Sequence, residues 1–244
     1  MNRILFEENE LKNGLASIDD ARSEHILNVL HGEIGQILKT GVVNGPVGTS
    51  TIVAIDGTRV TLQCNHGEKS IEPWADIILA PPRPRVMKRL LPQLATMGVG
   101  KIILVGAKKV EKDFWGATLL KSDISREYFK DGLMQGGSSI LPTLETRRNL
   151  RKFLDEELEL RFTAGNRIIA HPYSRENISE KEAIRRATDD SRRLLLAIGP
   201  EGGWTDEEVA LFMKHGFNPV SLGRRILKTE TAAIALLAIF GIGK

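Results

Sequence analysis

A glycine-rich segment follows an apolar run near residue 200. Leu194–Ile198 is apolar throughout, and Gly199-Pro200-Glu201-Gly202-Gly203 comes directly after it. Glycines at the carboxyl end of a strand let the backbone approach a ligand, and this edge is where open α/β sheets bind small molecules. A tight structural turn is the alternative. The chain contains neither G-x-G-x-x-G nor G-x-x-x-x-G-K-[ST], which disfavours a dinucleotide or ATP site.

A second candidate segment is a basic turn near residue 225. Ser221-Leu222-Gly223 ends an apolar run, and Arg224, Arg225 and Lys228 follow within five residues. Arginine and lysine donate charge-assisted hydrogen bonds to phosphates and to oxygens that develop negative charge. A helix is predicted to begin at Thr229 or Glu230, and an acidic residue there also suits the helix dipole. The turn therefore indicates either an anion-binding site or an ordinary basic helix start.

Composition sets limits on the class of protein. The 244 residues carry 34 Lys and Arg against 31 Asp and Glu, a net charge of +3, which permits a polyanionic partner without requiring one. Cys64 is the single cysteine, so an internal disulfide and a thiolate zinc cluster are excluded, and no metal site is expected. No secretory signal and no apolar window of about 20 residues is present. We expect a cytoplasmic protein without a membrane segment.

The elements that must position these residues fall into two predicted domains. The first covers 1–70, where a helix at Ser23–Leu30, with Ser23 as its N-cap, precedes three β-rich runs separated by Asn44-Gly45-Pro46 and Asp56-Gly57. Those runs are Gln36–Val43, Val47–Ile55 and Arg59–Cys64. They predict a small antiparallel β-barrel. The polar segment Asn65–Pro73 marks the boundary.

The second predicted domain, 74–244, alternates strands with helices and is therefore of the α/β class. Its predicted buried parallel strands are Ile77–Ala80, Ile102–Val105, Ile168–Ala170, Leu194–Ile198 and Pro219–Leu222. Its predicted helices are Arg85–Met97, Ser122–Met134, Ser179–Thr188 and Thr205–His215. A last helix, Glu230–Phe240, has almost no polar face and must be buried, either in the core or in a subunit interface.

Several motifs, taken in order, resemble one known family. They are His25–Leu30, Gly32–Gln36, Ala170-His171-Pro172, Ile198–Gly203, and Ser221-Leu222-Gly223 with Glu230-Thr231-Ala232. Together they resemble the RsmE family of 16S rRNA uracil-N3 methyltransferases, within the SPOUT class, over most of the chain. The resemblance implies a PUA-like RNA-binding barrel followed by a SPOUT α/β domain with a C-terminal trefoil knot. It also implies a homodimer that uses S-adenosylmethionine to methylate 16S rRNA of the small ribosomal subunit.

The resemblance assigns roles to individual residues. S-adenosylmethionine is expected against His171, Ile198, Gly199, Pro200, Gly202, Gly203, Ser221, Leu222, Gly223, Ile226, Leu227 and Thr231. Arg225 and Lys228 are expected near the uracil oxygens or a flanking phosphate. Glu230 is expected to orient the substrate, with proton acceptance as its alternative role. The target nucleotide must be splayed out or single-stranded, and Arg3, Arg83, Arg85 and Lys88 are expected to contact its phosphates.

The sequence also departs from the family pattern. Many members carry Glu-Gln and then an arginine in the segment that aligns with Met134–Ser138, whereas here only Gln135 matches and Arg147 is the next arginine. Lys228 occupies a position where arginine is frequent in the family, and lysine cannot form the paired hydrogen bonds that an arginine guanidinium forms.

Because of these departures, two other functions stay open. One is a different SPOUT activity, such as ribose 2'-O-methylation, and the other is a catalytically silent RNA-binding or ribosome-assembly protein.

Overall fold

The computed structural model describes residues 2–111, 114–115, 121–162, 166–172 and 193–242. The chain divides into two compact units. The first unit is Met1–Glu72 with Phe129–Leu141, and the second is Pro73–Tyr128 with Pro142–Lys244. Phe129–Leu141, which the sequence analysis places in the second domain, is thus part of the first unit.

The first unit is built on a six-stranded sheet around one apolar core. Its strands are β1 (Ile4–Phe6), β2 (Leu11–Lys12), β3 (Leu15–Ile18), β4 (Ile37–Val42), β5 (Val47–Asp56) and β6 (Arg59–Glu68), in the order β1-β4-β5-β6-β3-β2. β1 pairs with β4 in parallel, and the other neighbours are antiparallel. The predicted antiparallel strands β4 to β6 are confirmed. A short 3-10 helix, Glu8–Glu10, connects β1 to β2.

Helix α1 (Ala21–Asn28) begins two residues earlier than the sequence predicts. Asp20 is the N-cap, and its carboxylate accepts the backbone N–H of Arg22 at 2.8 Å. The prediction that Ser23 is the N-cap is therefore wrong. Ser23 occupies the third helical position, where its hydroxyl accepts the Asp20 N–H at 3.0 Å and closes a capping box.

Arg3 ties separate segments of the first unit together. Its guanidinium donates to the carbonyl oxygens of Thr40 at 2.6 Å, Gly48 at 3.3 Å and Gly137 at 3.0 Å. The Arg3 backbone N–H donates to Met134 O at 3.0 Å. These bonds give Arg3 a structural role that the sequence does not predict, and they hold Phe129–Leu141 in this unit.

The second unit is an α/β fold on a six-stranded, fully parallel sheet. Its strands are β7 (Ala75–Leu79), β8 (Val99–Val105), β9 (Thr143–Arg147), β10 (Arg167–Ala170), β11 (Leu194–Ile198) and β12 (Asn218–Val220), in the order β12-β10-β11-β7-β8-β9. β7 and β11 are buried at every position, because helices cover both faces of such a sheet. The predicted α/β class is confirmed.

The helices of this unit agree with the sequence analysis in most places. They are α2 (Pro84–Thr96), α4 (Leu150–Lys152), α5 (Leu158–Arg161), α6 (Asp206–Lys214) and α7 (Thr229–Phe240), with a π-helical turn at Phe153–Glu157 between α4 and α5. Helix α3 (Ser122–Gly136) begins in this unit, and its residues from Phe129 onward belong to the first unit. Strand β9 and the short helices α4 and α5 are not among the predicted elements. The predicted helix Ser179–Thr188 lies outside the described residues.

Helix α7 is partly a core element. It packs against α2 and β11, and Ala233, Leu236, Leu237 and Phe240 are buried. Ile234 and Ile239 remain half-buried. Across the described residues, every helix is too short or too polar to cross a bilayer.

Candidate functional site

A cavity of about 710 Å³ opens at the carboxyl ends of β10, β11 and β12. These three strands are parallel neighbours, so the loops that follow them emerge at the same edge of the sheet. The first loop supplies Ala170–Pro172, the second Ile198–Trp204 and the third Val220–Leu222. The two motifs singled out in the sequence thus meet in one cavity, together with His171.

Hydrogen bonds tie the three loops to one another. His171 N donates to Val220 O at 3.0 Å. The hydroxyl of Thr229, at the start of α7, donates to Gly199 O at 3.2 Å. Ser221 Oγ donates to Gly223 O at 3.0 Å, and this bond shapes the turn that leaves β12. The strand β12 ends at Val220 rather than at the predicted Leu222, because Ser221 and Leu222 turn to line the cavity.

The glycine segment after β11 requires glycine for two different reasons. Gly203 has φ +69° and its N–H donates to Pro200 O at 2.8 Å, so a tight turn holds it in the left-handed region. At Gly199, a Cβ would lie 3.1 Å from Trp204 N and 3.2 Å from the indole. The segment then enters α6, part of the helix predicted over Thr205–His215, through a Thr205/Glu208 capping box.

Trp204 forms a wall between the cavity and the core. Its side chain is buried and packs edge-on against Phe212, with ring centroids 5.0 Å apart. The indole Nε1 is inaccessible to water and has no hydrogen-bond acceptor among the described residues. A buried donor without a partner costs about 1–3 kcal/mol, so the packing of this ring must outweigh that penalty.

Lys109 is a cavity residue that the sequence analysis missed. It lies in the loop after β8, and its ammonium donates to Gly202 O at 2.8 Å. Its side chain lies across the glycine segment, because a Cβ on Gly202 would be 2.9 Å from Lys109 Cδ. The only signal in the sequence was a pair of lysines soon after an apolar strand, and nothing local links residue 109 to residue 202.

His171 is a neutral group at neutral pH. Burial lowers the pKa of its imidazole, Asp206 acts in the opposite direction, and the Lys109 ammonium lowers the pKa further. Asp206 is a second cavity residue that the sequence analysis missed. The cavity therefore combines a neutral imidazole with nearby charges of both signs.

The structure places most of the predicted cofactor residues around the cavity. Those that line it are His171, Ile198, Gly199, Pro200, Gly202, Gly203, Ser221, Leu222, Ile226 and Leu227. Arg225 lines it too, and its side chain is exposed. Four predicted residues, Gly223, Lys228, Glu230 and Thr231, are adjacent in sequence but do not belong to the lining. Glu230 instead faces Arg89, with 3.8 Å between the carboxylate and the guanidinium.

The start of α2 carries three of the cations predicted to bind RNA. Arg83, Arg85 and Lys88 are all exposed. The backbone N–H of Arg83, the N-cap residue, donates to the Glu201 carboxylate at 3.1 Å, which connects this helix to the glycine segment. Positive charge at a helix N-terminus opposes the helix dipole, so helix stability does not explain Arg83 and Arg85.

Comparison with known proteins decides the family. A model described as an RNA methyltransferase domain matches residues 68–241. A ribosomal RNA small subunit methyltransferase E from Treponema pallidum is 31% identical over 98% of this chain and 90% of its own length. The chain belongs to the RNA methyltransferase family. A second relative, ribosomal RNA small subunit methyltransferase E 1 from Borreliella burgdorferi, is 28% identical over 96% of this chain and 95% of its own length.

Solved structures of two other proteins are similar to this chain over almost its whole length. A putative methyltransferase from Legionella pneumophila, in complex with bound S-adenosylmethionine, has a TM-score of 0.70 at 25% identity and covers 99% of this chain and 97% of its own. A ribosomal RNA small subunit methyltransferase E from Neisseria gonorrhoeae has the same TM-score and coverage at 22% identity, which shows the same fold.

Proposed function

We propose that this chain transfers the methyl group of S-adenosylmethionine to the N3 position of a uridine in 16S rRNA of the small ribosomal subunit. The observation that carries the proposal is the single cavity in which the glycine segment, His171 and Arg225 meet. The full-length similarity to small-subunit methyltransferases supports rRNA as the substrate.

The cavity fits S-adenosylmethionine in size and chemistry. Its volume of about 710 Å³ falls in the range usual for small-molecule sites. Leu222, Leu227 and Leu236 offer apolar surface for a flat base. Gly199 sits so close to Trp204 that only glycine leaves the backbone there accessible. We assign the adenosine to the backbone of Ile198, Gly199, Leu222 and the Ile226–Leu227 turn.

The chain's own residues then have to lower the cost of deprotonating N3. The cofactor supplies an activated methyl group. If the imino pKa is two to three units above neutral, ionisation costs about 3–4 kcal/mol. One well-placed donor facing the developing oxyanion contributes about 2.7–4 kcal/mol. The Arg225 guanidinium is exposed in the cavity wall and is the donor we assign to the uracil oxygen.

The neighbouring predicted residues take roles on the RNA side. We assign Lys228 to the uracil oxygens or a flanking phosphate, and Glu230 to orientation of the substrate, with proton acceptance as its alternative role. Gly223 and Thr231 would complete the turn around the cofactor. Arg83, Arg85 and Lys88 would contact phosphates, which explains cations at a helix terminus that disfavours them. Arg3 remains a predicted RNA contact despite its three carbonyl bonds.

The finer architecture is part of the same proposal. The sheet of β1 to β6 would be a PUA-like RNA-binding barrel, and the second unit would be a SPOUT domain with a C-terminal trefoil knot. Convergence of three loops on one cavity, with α7 tethered to the glycine segment through Thr229, supports the knot. The half-buried Ile234 and Ile239 on α7 support a homodimer. A cytoplasmic location follows from the proposed ribosomal substrate.

The test uses small subunits from cells that lack this enzyme, incubated with labelled S-adenosylmethionine. We expect label on one uridine of 16S rRNA, as 3-methyluridine by mass mapping.

Arg225→Ala should lower the rate about 100- to 1,000-fold while cofactor affinity stays within about threefold. Arg224→Ala is the matched control, since Arg224 is exposed and outside the cavity lining. Label on a ribose would identify the other SPOUT activity, and failure to bind the cofactor in calorimetry would identify a silent module.

A further inference from the structure

The cavity lining includes two charged side chains of opposite sign that come from different elements. Lys109 comes from the loop after β8, and Asp206 is the first residue of α6. Both charges act on the imidazole of His171, in opposite directions, so both lie near it. Nothing in the sequence motifs assigns a role to either residue.

The surroundings of Lys109 leave its ammonium available to a ligand. An ammonium has three N–H donors, and Lys109 uses one on Gly202 O at 2.8 Å. Within the described ranges of the chain, no carboxylate pairs with Lys109. The adjacent Lys108 differs, because its ammonium is paired with Glu207 at 2.5 Å and lies outside the cavity. Two neighbouring lysines thus face different environments.

Asp206 differs from the other two acidic residues in the first turn of α6. Glu207 pairs with Lys108, and Glu208 accepts the backbone N–H groups of Thr205 and Lys108, both at 2.8 Å. For Asp206, the described part of the chain provides neither an ion pair nor a side-chain hydrogen bond. Its carboxylate is the one that lines the cavity.

Apolar side chains also line the cavity. Leu222, Leu227 and Leu236 are among them, and the other charged residues of the lining are Glu201 and Arg225. A ligand with a flat base at one end and a zwitterionic group at the other would therefore bind in one orientation. S-adenosylmethionine has this build, with an α-ammonium and an α-carboxylate at its amino-acid end.

We propose that Lys109 and Asp206 clamp the amino-acid end of the cofactor, the Lys109 ammonium donating to the α-carboxylate and the Asp206 carboxylate accepting from the α-ammonium. This inference rests on the proposed function. Paired opposite charges select the zwitterion over an analogue that lacks either the α-carboxylate or the α-ammonium, because the protein charge facing the missing group is then left uncompensated. The bond from Lys109 to Gly202 also couples this recognition to the glycine segment.

The first experiment measures affinity by titration calorimetry for S-adenosylmethionine and for its decarboxylated analogue. We expect the wild type to bind the complete cofactor at least about tenfold more tightly than the decarboxylated one. Lys109→Met should lose about tenfold for the complete cofactor and keep its affinity for the decarboxylated one. Lys109→Arg should recover most of the loss, and Lys108→Met, the matched control, should behave as wild type.

The second experiment applies the same design to Asp206. Asp206→Asn should lose about tenfold for the complete cofactor but little for an analogue that lacks the α-amino group. The matched control is Glu207→Gln, which removes a first-turn charge outside the cavity. It reports how much of the effect comes from the helix dipole alone.

Three outcomes overturn the clamp. Equal losses for complete and truncated ligands would show that Lys109 merely supports the glycine segment. Unchanged cofactor affinity in both variants, with weaker RNA binding in Lys109→Met, would assign the ammonium to RNA phosphate. A wild type that binds neither ligand would overturn the clamp and the proposed function together, whereas normal wild-type binding with unaffected variants would overturn the clamp alone.

Discussion

At each edge of the parallel sheet in the second unit, a tryptophan lies next to glycine, but the surroundings of the two tryptophans differ. At the amino edge, Trp74 precedes β7 and lies against Gly98 and Gly241. At the carboxyl edge, Trp204 lies against Gly199. The Trp74 indole donates to Met97 O at 2.7 Å, whereas the Trp204 indole has no acceptor among the described residues.

The glycines at the two edges also differ in the space around them. A Cβ on Gly98 or Gly241 would lie 2.7 Å from the Trp74 ring, so these glycines allow close packing. Gly203 and Gly223 have positive φ and open space around the missing Cβ. The comparison teaches that glycine allows close packing against Trp74 at one edge of the sheet, whereas Gly203 and Gly223 form turns in open space at the edge that carries the cavity. Residue types alone do not reveal this difference.

The largest effect on stability is expected at the amino edge. Gly98→Ala should destabilise the protein by about 3 kcal/mol, because alanine at φ +80° is strained and its methyl group overlaps Trp74. Gly203→Ala should cost about 1 kcal/mol, since only the backbone strain applies there. Urea unfolding of both variants tests this difference. Similar losses at the two positions would remove the distinction between the edges.

A smaller difference is expected between the two indoles. Trp74→Phe should cost about 2 kcal/mol, because it removes a hydrogen bond and leaves the Met97 carbonyl without its donor. Trp204→Phe should change stability by less than about 1 kcal/mol, since loss of the unsatisfied N–H offsets the lost packing. Thermal unfolding at fixed pH gives both values. A larger loss for Trp204→Phe would mean that its N–H has a partner in solution.

The smallest effect concerns pH. Burial lowers the pKa of His171, so the neutral imidazole is stabilised in the fold, and this contribution is present above the unfolded value of about 6.5. It is lost as pH falls through the lowered folded pKa. Because protonation would place a cation beside the cationic cofactor, affinity should fall up to about fivefold below pH ~6.

His171→Asn should remove most of this pH dependence of cofactor affinity. The matched control is His31→Asn, since His31 is an exposed histidine of the first unit. Calorimetric titrations at several pH values compare the two variants with wild type. A wild-type affinity that stays constant down to pH ~5 would contradict the prediction.

Local signals in the sequence predicted those parts of the second unit that local physics determines. Leu194–Ile198 is a strand at the bounds predicted for it, because an apolar run ended by glycine has few alternatives. The helix predicted over Thr205–His215 is likewise confirmed as α6, with Thr205 as its N-cap. β9 was missed because this edge strand has one apolar residue, Leu144, and alternation is weak in five residues.

Distant contacts account for the other failures. Lys109 reaches the glycine segment from 93 residues away, and no local pattern encodes that approach. The N-cap of α1 was misplaced for a different reason, since Asp20 and Ser23 are both good capping residues and the structure uses them together. The RNA-binding roles of Arg83, Arg85 and Lys88 stay predictions, as does the trefoil knot.

The discontinuous first unit has a consequence for how the chain is made. Phe129–Leu141 belongs to this unit and supplies Met134 O to the backbone N–H groups of Asn2 and Arg3, just before β1, at 2.9 and 3.0 Å. During synthesis the first unit is therefore complete only after more than half of the polypeptide has left the ribosome. A gene truncated at codon 72 would encode an incomplete module, and an expression strategy for that module must supply the later segment as well.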